Sequence, residues 1–142
     1  MIVIDTNIIG ALMKAETAPR ISAWLDRQEP STLWTTTITI AEMRYGTERM
    51  PEGKKRSLVE QFNADVMGTF FPPERVLPFD ARAAASYGRL VADAEGRGRP
   101  VRNFADAAIA AIASAKGFSV ASFDRGPFES LAVPLIVPGE DR

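Results

Sequence analysis

The chain has neither histidine nor cysteine among its 142 residues, which excludes disulfides, thiolate chemistry, imidazole general-base catalysis and the nitrogen and sulfur ligands that zinc prefers. It also lacks a strong charge of either sign. Its formal net charge is −1, so affinity for nucleic acid would have to come from local basic patches rather than a global field. No apolar run approaches the ~20 residues of a membrane span. The opening MIVIDTNIIGAL has no basic start and carries Asp5, so it reads poorly as a signal peptide. These absences point to a cytoplasmic protein with no membrane association. No glycine-rich phosphate loop follows the first apolar run, which argues against a nucleotide-binding sheet domain. Hydrophobic residues at 46% and charged residues at 25% suit an ordinary globular composition with a real core, and the length suits one domain over residues 1–142.

What the chain does have is acid placed where strands end and helices begin. Ile2-Val3-Ile4 reads as a buried strand, followed by Asp5-Thr6-Asn7 and a short helix. A helix is expected from Pro19 to Gln28 and a strand from Leu33 to Thr37. Further helices are expected from Thr39 to Arg49 and from Pro51 to about Met67. Val76 to Phe79 reads as a strand, and Asp80 caps a long helix to about Glu95. Asn103 caps the clearest helix, FADAAIAAIASAK, which Gly117 stops. Phe118 to Ala121 is a strand, Asp124 to Pro127 a turn, and Pro134 to Val137 a last strand. Strands alternating with helices predict an α/β domain with a central parallel sheet.

Taken singly, each acid has an ordinary explanation. Asp5 suits an N-cap, Thr39-x-x-Glu42 a capping box, Asp106 a first-turn acid favoured by the helix dipole, and Asp124 a turn. Taken together they fall at the carboxyl edge of a parallel sheet, where such folds bind ligands. Asp106 opens a helix that is apolar on every side, so its carboxylate needs a partner. Like charges at ~4 Å repel by about 4 kcal/mol at an effective dielectric of ~20. An all-oxygen donor set selects Mg²⁺ or Mn²⁺ (or Ca²⁺) over Zn²⁺, and an ion such as Mg²⁺ acidifies water for attack on a phosphodiester. Thr6, Asn7 and Ser122 stand close enough in sequence to orient ligands or waters. Arg44 and the loop arginines Arg97, Arg99 and Arg102 are candidates for holding a phosphate backbone, while Lys54-Lys55-Arg56 reads as a solvated face.

MIVIDTN, TTTITIAEMRYG around Glu42, RVLPFD at 75–80, GRPVRNFADAAIAAIASAKG around Asp106 and ASFDRGPF around Asp124 resemble the PIN-domain ribonuclease toxins of VapC type, in particular the FitB-like branch. The likeness runs nearly end to end. It implies a three-layer α/β/α fold with a parallel sheet of four to five strands, and Mg²⁺- or Mn²⁺-dependent endonucleolytic cleavage of RNA. It further implies homodimers, a cognate antitoxin, and contact with operator DNA only through that antitoxin. The family's acidic quartet falls on Asp5, Glu42, Asp106 and Asp124, its Thr/Ser beside the fourth acid on Ser122, and its D-T-N signature on Asp5-Thr6-Asn7. Two departures stand out: Phe123 replaces the usual Arg, and Val137-Pro138-Gly139 replaces an Asn-Pro-Trp-like ending. A catalytically weak module that binds RNA or a protein partner, and a metal-dependent phosphatase of another class, remain the alternatives.

Overall fold

In the computed structural model, which describes residues 1–140, five short strands form one parallel sheet in the order β3-β2-β1-β4-β5. The strands are β1 (Ile2–Ile4), β2 (Leu33–Thr36), β3 (Val76–Leu77), β4 (Ser119–Ala121) and β5 (Leu135–Ile136). The helices are α1 (Thr6–Ala11), α2 (Ala18–Asp26), α3 (Thr37–Glu48), α4 (Lys54–Phe70), α5 (Ala81–Gly96), α6 (Phe104–Lys116) and α7 (Arg125–Ser130). Successive residues of the central strands face opposite sides, as the two-residue period of a strand requires. Val3 and Val120 join a cluster with Ile109, Ile112, Phe128 and Leu131. Ile4 and Ala121 join another with Ile8, Ile21, Trp24 and Val66. The result is an α/β/α sandwich with a core on each face of the sheet. No helix of the described residues is long and apolar enough to cross a membrane.

The chain builds outward from β1 in one direction through β2 and β3, then returns to the other side with β4 and β5. The carboxyl ends of β1 and β4 therefore flank the point where the winding reverses, the crevice in which open α/β sheets take their ligands. Asp5 follows β1 directly, and its backbone N–H donates to the Ala121 carbonyl at 3.0 Å, tying the two strand ends together.

Several boundaries differ from the expectation for physical reasons. The third helix begins at Thr37, because Thr36 rather than Thr39 is the cap and accepts from the Thr39 N–H at 3.0 Å. The fourth begins at Lys54 instead of Pro51, after Gly53 takes a φ of 146° that no helix can include. The third strand stops at Leu77, before Pro78. Residues 124–127, expected as a turn, enter α7, which holds Pro127 in its first turn where a missing N–H costs no helical bond. Asp80 and Asn103 cap α5 and α6 as their spacing predicts, and Gly117 ends α6 in the left-handed region.

Candidate active site

Asp5 is 3% exposed and held from two directions. Its Oδ1 accepts from the Thr6 N–H at 2.8 Å, so it caps α1, while its Oδ2 accepts from the Ser122 hydroxyl at 2.7 Å. Ser122 is wholly buried at the end of β4 and is the hub of the site. Besides donating to Asp5, its Oγ accepts from Asn7 Nδ2 and from the Asp124 N–H, both at 3.0 Å. Asn7 completes the link by accepting the Phe123 N–H at 3.2 Å. The segment carrying Asp124 is thereby fixed to the start of α1 by a chain of hydrogen bonds, each member satisfying another.

Glu42 arrives from α3. The capping-box role is overturned: Glu42 Oε1 accepts from the Thr6 hydroxyl at 2.7 Å, across 36 residues of sequence. Thr36 has already capped the helix, which leaves Glu42 past its first turn and free to face α1. Asp106 lies in the first turn of α6, its N–H donating to Asn103 Oδ1 at 3.1 Å, and it lines one cavity with Asp124. Asp124 precedes α7 without capping it through its side chain.

The field at these groups reports their convergence. Asp106 is pushed up to about 6, first by desolvation and then by the negative charges of Asp5, Asp124 and Glu42. Asp5 is raised by burial, an effect opposed by its bonds to Ser122 and Thr6 and reinforced by Glu42 and Asp124. None of the ion pairs among the described residues involves any of the four acids. Among the described residues no three acids stand together as a group that could hold a metal ion as they are placed here. They couple through space across a gap. This donor set fits a hard dication that keeps several waters and takes few carboxylates directly.

The arginines separate. Arg102 lines a polar cavity of about 440 Å³ together with Asn103, Asp106, Asp124 and Ser130. Arg97 instead clamps the fold: it pairs with Asp93 at 2.9 Å and donates to the Ser130 carbonyl at 2.6 Å. Arg99 sits exposed in the loop and is not among the residues lining that cavity. Arg44 pairs with Glu48 at 2.8 Å on the exposed side of α3. Arg56, in the run read as a solvated face, bonds Glu48 and Glu60. Sequence reasoning missed the apolar wall beside Glu42, formed by Met13, Met43 and Met50 with Gly10 and Gly46. Its signal was available: Met43, Gly46, Thr47 and Met50 recur at helical spacing.

The PIN domain family model matches residues 2–134. The VapC ribonuclease Y4jK of Sinorhizobium fredii is 44% identical over 142 residues, spanning 99% of each chain. Toxin FitB of Neisseria gonorrhoeae is 32% identical over 99% of this chain and all of its own. The solved structure of FitAB bound to a DNA fragment superposes with a TM-score of 0.87 at 34% identity, covering 97% of this chain and 95% of that one.

Proposed function

Since the chain belongs to the PIN-domain family, in its VapC/FitB branch, we propose that it is a divalent-metal-dependent endoribonuclease and the toxin of a toxin–antitoxin pair. The observation that carries this reading is the grouping of Asp5, Glu42, Asp106 and Asp124 around the switch point of the sheet, where Asp5, Asp124 and Glu42 each raise the proton affinity of Asp106. Asp106, Asp5, Glu42 and Asp124 would hold Mg²⁺ or Mn²⁺, with Thr6, Asn7 and Ser122 fixing their rotamers. A bound divalent ion supplies Lewis acidity toward water and the phosphoryl oxygens. The chain's own part is positional. Ser122 and Thr6 hold Asp5 and Glu42 in one orientation, the first turn of α6 presents Asp106 to the cavity it shares with Asp124, and Arg102 in that cavity offers a cation for the phosphate backbone of RNA.

The proposal extends to assembly and control. The protein works as one domain over residues 1–142 in the cytoplasm, forms homodimers, and is silenced by a cognate antitoxin through which alone the pair meets operator DNA. The solved structure of FitAB bound to a DNA fragment supports the DNA-bound part of that arrangement.

Purified, antitoxin-free protein incubated with structured RNAs should cut them with Mg²⁺ or Mn²⁺, not with chelator, and Asp5→Asn should lose the activity. Tight binding without any cutting would favour the binding module, and hydrolysis of small phosphate esters would favour the phosphatase. Arg102→Ala should weaken RNA binding similarly across sequences and lower the salt slope of log K by about 1, read from anisotropy titrations. An unchanged slope would remove Arg102 from the phosphate path.

A further inference from the structure

Two cavities adjoin the acids and share no lining residue. One is the polar cavity of Arg102, Asp106 and Asp124. The other, of about 280 Å³, is walled by Ile9, Met13, Met43, Met50 and Val59, with Thr6 and Glu42 among its lining. We propose that this apolar cavity is a nucleobase subsite, receiving one unstacked base of the single strand whose phosphodiester lies at the acids. The proposal rests on the ribonuclease reading above and names the form of RNA it takes.

Continuity is the first argument. Thr6 and Glu42, bonded to each other at 2.7 Å, belong at once to the acidic cluster and to the cavity, so a strand with a phosphate at the acids brings a neighbouring nucleotide here. Charge is the second. No lysine or arginine lines the cavity and a carboxylate does, which disfavours a phosphate and suits a neutral ring with N–H groups at its edge. The cation lies in the other cavity, so backbone and base are sorted to opposite sides. Surface chemistry is the third: thioether walls adapt to flat π systems and contact them favourably.

The fourth argument concerns glycine. Gly46 lines the cavity from within α3, where glycine destabilises relative to alanine, and Gly10 lines it from the last turn of α1. Neither takes a positive φ, and a Cβ at either would meet nothing within 4 Å. This chain's own packing requires neither glycine. Both keep the cavity open for something that approaches the backbone closely. Proteins that read RNA by sequence generally engage single-stranded, unstacked bases, as a pocket of this kind requires.

The test is equilibrium binding of short single-stranded RNAs to Asp106→Asn protein, chosen because the ribonuclease reading expects it to hold substrate without cutting it. An abasic nucleotide is moved through the oligonucleotide one position at a time. One position should weaken binding about tenfold when its base is absent. Gly46→Leu, which fills the cavity from an unobstructed helical position, should weaken the complete oligonucleotide by a similar factor and lose the sensitivity to that position. Its melting curve must show a folded protein, with Gly46→Ala as the milder second variant. Equal binding of all abasic oligonucleotides, or undiminished sensitivity in Gly46→Leu, would overturn the proposal. So would intact RNA discrimination in Gly46→Leu combined with lost antitoxin affinity, which would give the cavity to the protein partner. Position-sensitive binding by a protein that never cuts would sink the catalytic reading alone, and cutting without positional sensitivity would sink this one alone.

Discussion

Asp106→Asn should lower metal-dependent RNA cleavage by about 10²–10³-fold or more and, in the absence of metal, make the protein more stable. The two effects have one cause. Asp106 is raised to about 6 from the ordinary 3.8 because burial and three acids oppose its charge. For a carboxyl group whose folded-state value is raised, the folded protein holds the proton more tightly than the unfolded chain. Raising the pH from about 4 to about 6 therefore removes stability, and above that range the full cost persists. After discounting for solvent screening at this half-buried position, the cost is roughly 1–2 kcal/mol. Asparagine carries no charge and escapes it. Thermal melts in chelator should show the variant ahead of the wild type near pH 7.5 and level with it near pH 4. A variant less stable at pH 7.5, or one still active, would contradict the role given to Asp106.

The second large effect is expected at Ser122. Ser122→Ala removes the donor to Asp5 Oδ2 and the acceptor for both Asn7 Nδ2 and the Asp124 N–H, in a place with no exposure to water. Unpaired buried groups cost about 1–3 kcal/mol each, and partial repacking should leave a net loss near 2–3 kcal/mol. The loss should also fall on chemistry. The Ser122 bond is the first of the contacts that hold down the proton affinity of Asp5, so its removal should raise that affinity and move the acid limb of the pH–rate profile upward. Ser122→Thr keeps the hydroxyl and should restore the profile even where the added methyl costs stability. If Ser122→Ala matches the wild type within about 0.5 kcal/mol and shows the same acid limb, the hub assignment is wrong.

Much of this architecture was legible in the residues themselves. The β-branched run Ile2–Ile4 could be little else than a buried strand, and the all-round apolar surface of residues 107–113 announced a helix inside the core. Asp80 and Asn103 declared their caps because each stands immediately before a helix, three residues ahead of the N–H it binds. Elsewhere local signals competed. Thr36 and Thr39 both suit an N-cap, and only the end of β2, set by pairing with β1 and β3, decides between them. That decision moves Glu42 out of a capping box and opposite Thr6. The Asp-Arg-Gly-Pro sequence reads as a turn because glycine and proline dominate local propensity, yet Phe128, buried in the core, draws the segment into α7.

The basic loop was the least legible part of the site. Arg97, Arg99 and Arg102 are alike in sequence, but the Ser130 carbonyl that engages Arg97 lies 33 residues away and becomes a neighbour only after folding. The acids could be picked out by their places at strand and helix ends. Their hydrogen-bond partners could not, since Thr6 to Glu42 and Ser122 to Asp5 span 36 and 117 residues. Hydrophobic patterning places elements; long-range polar pairs are settled by packing.

Calorimetric titration of metal-free protein with Mn²⁺ at neutral pH addresses the cooperation of the four carboxylates most directly. Wild-type protein should bind the ion saturably, and Asp5→Asn, Glu42→Gln, Asp106→Asn and Asp124→Asn should each weaken binding, because each removes one of the carboxylates that raise or share the charge at Asp106. Binding of equal strength in all five proteins, or no saturable heat in the wild type, would contradict a shared divalent site.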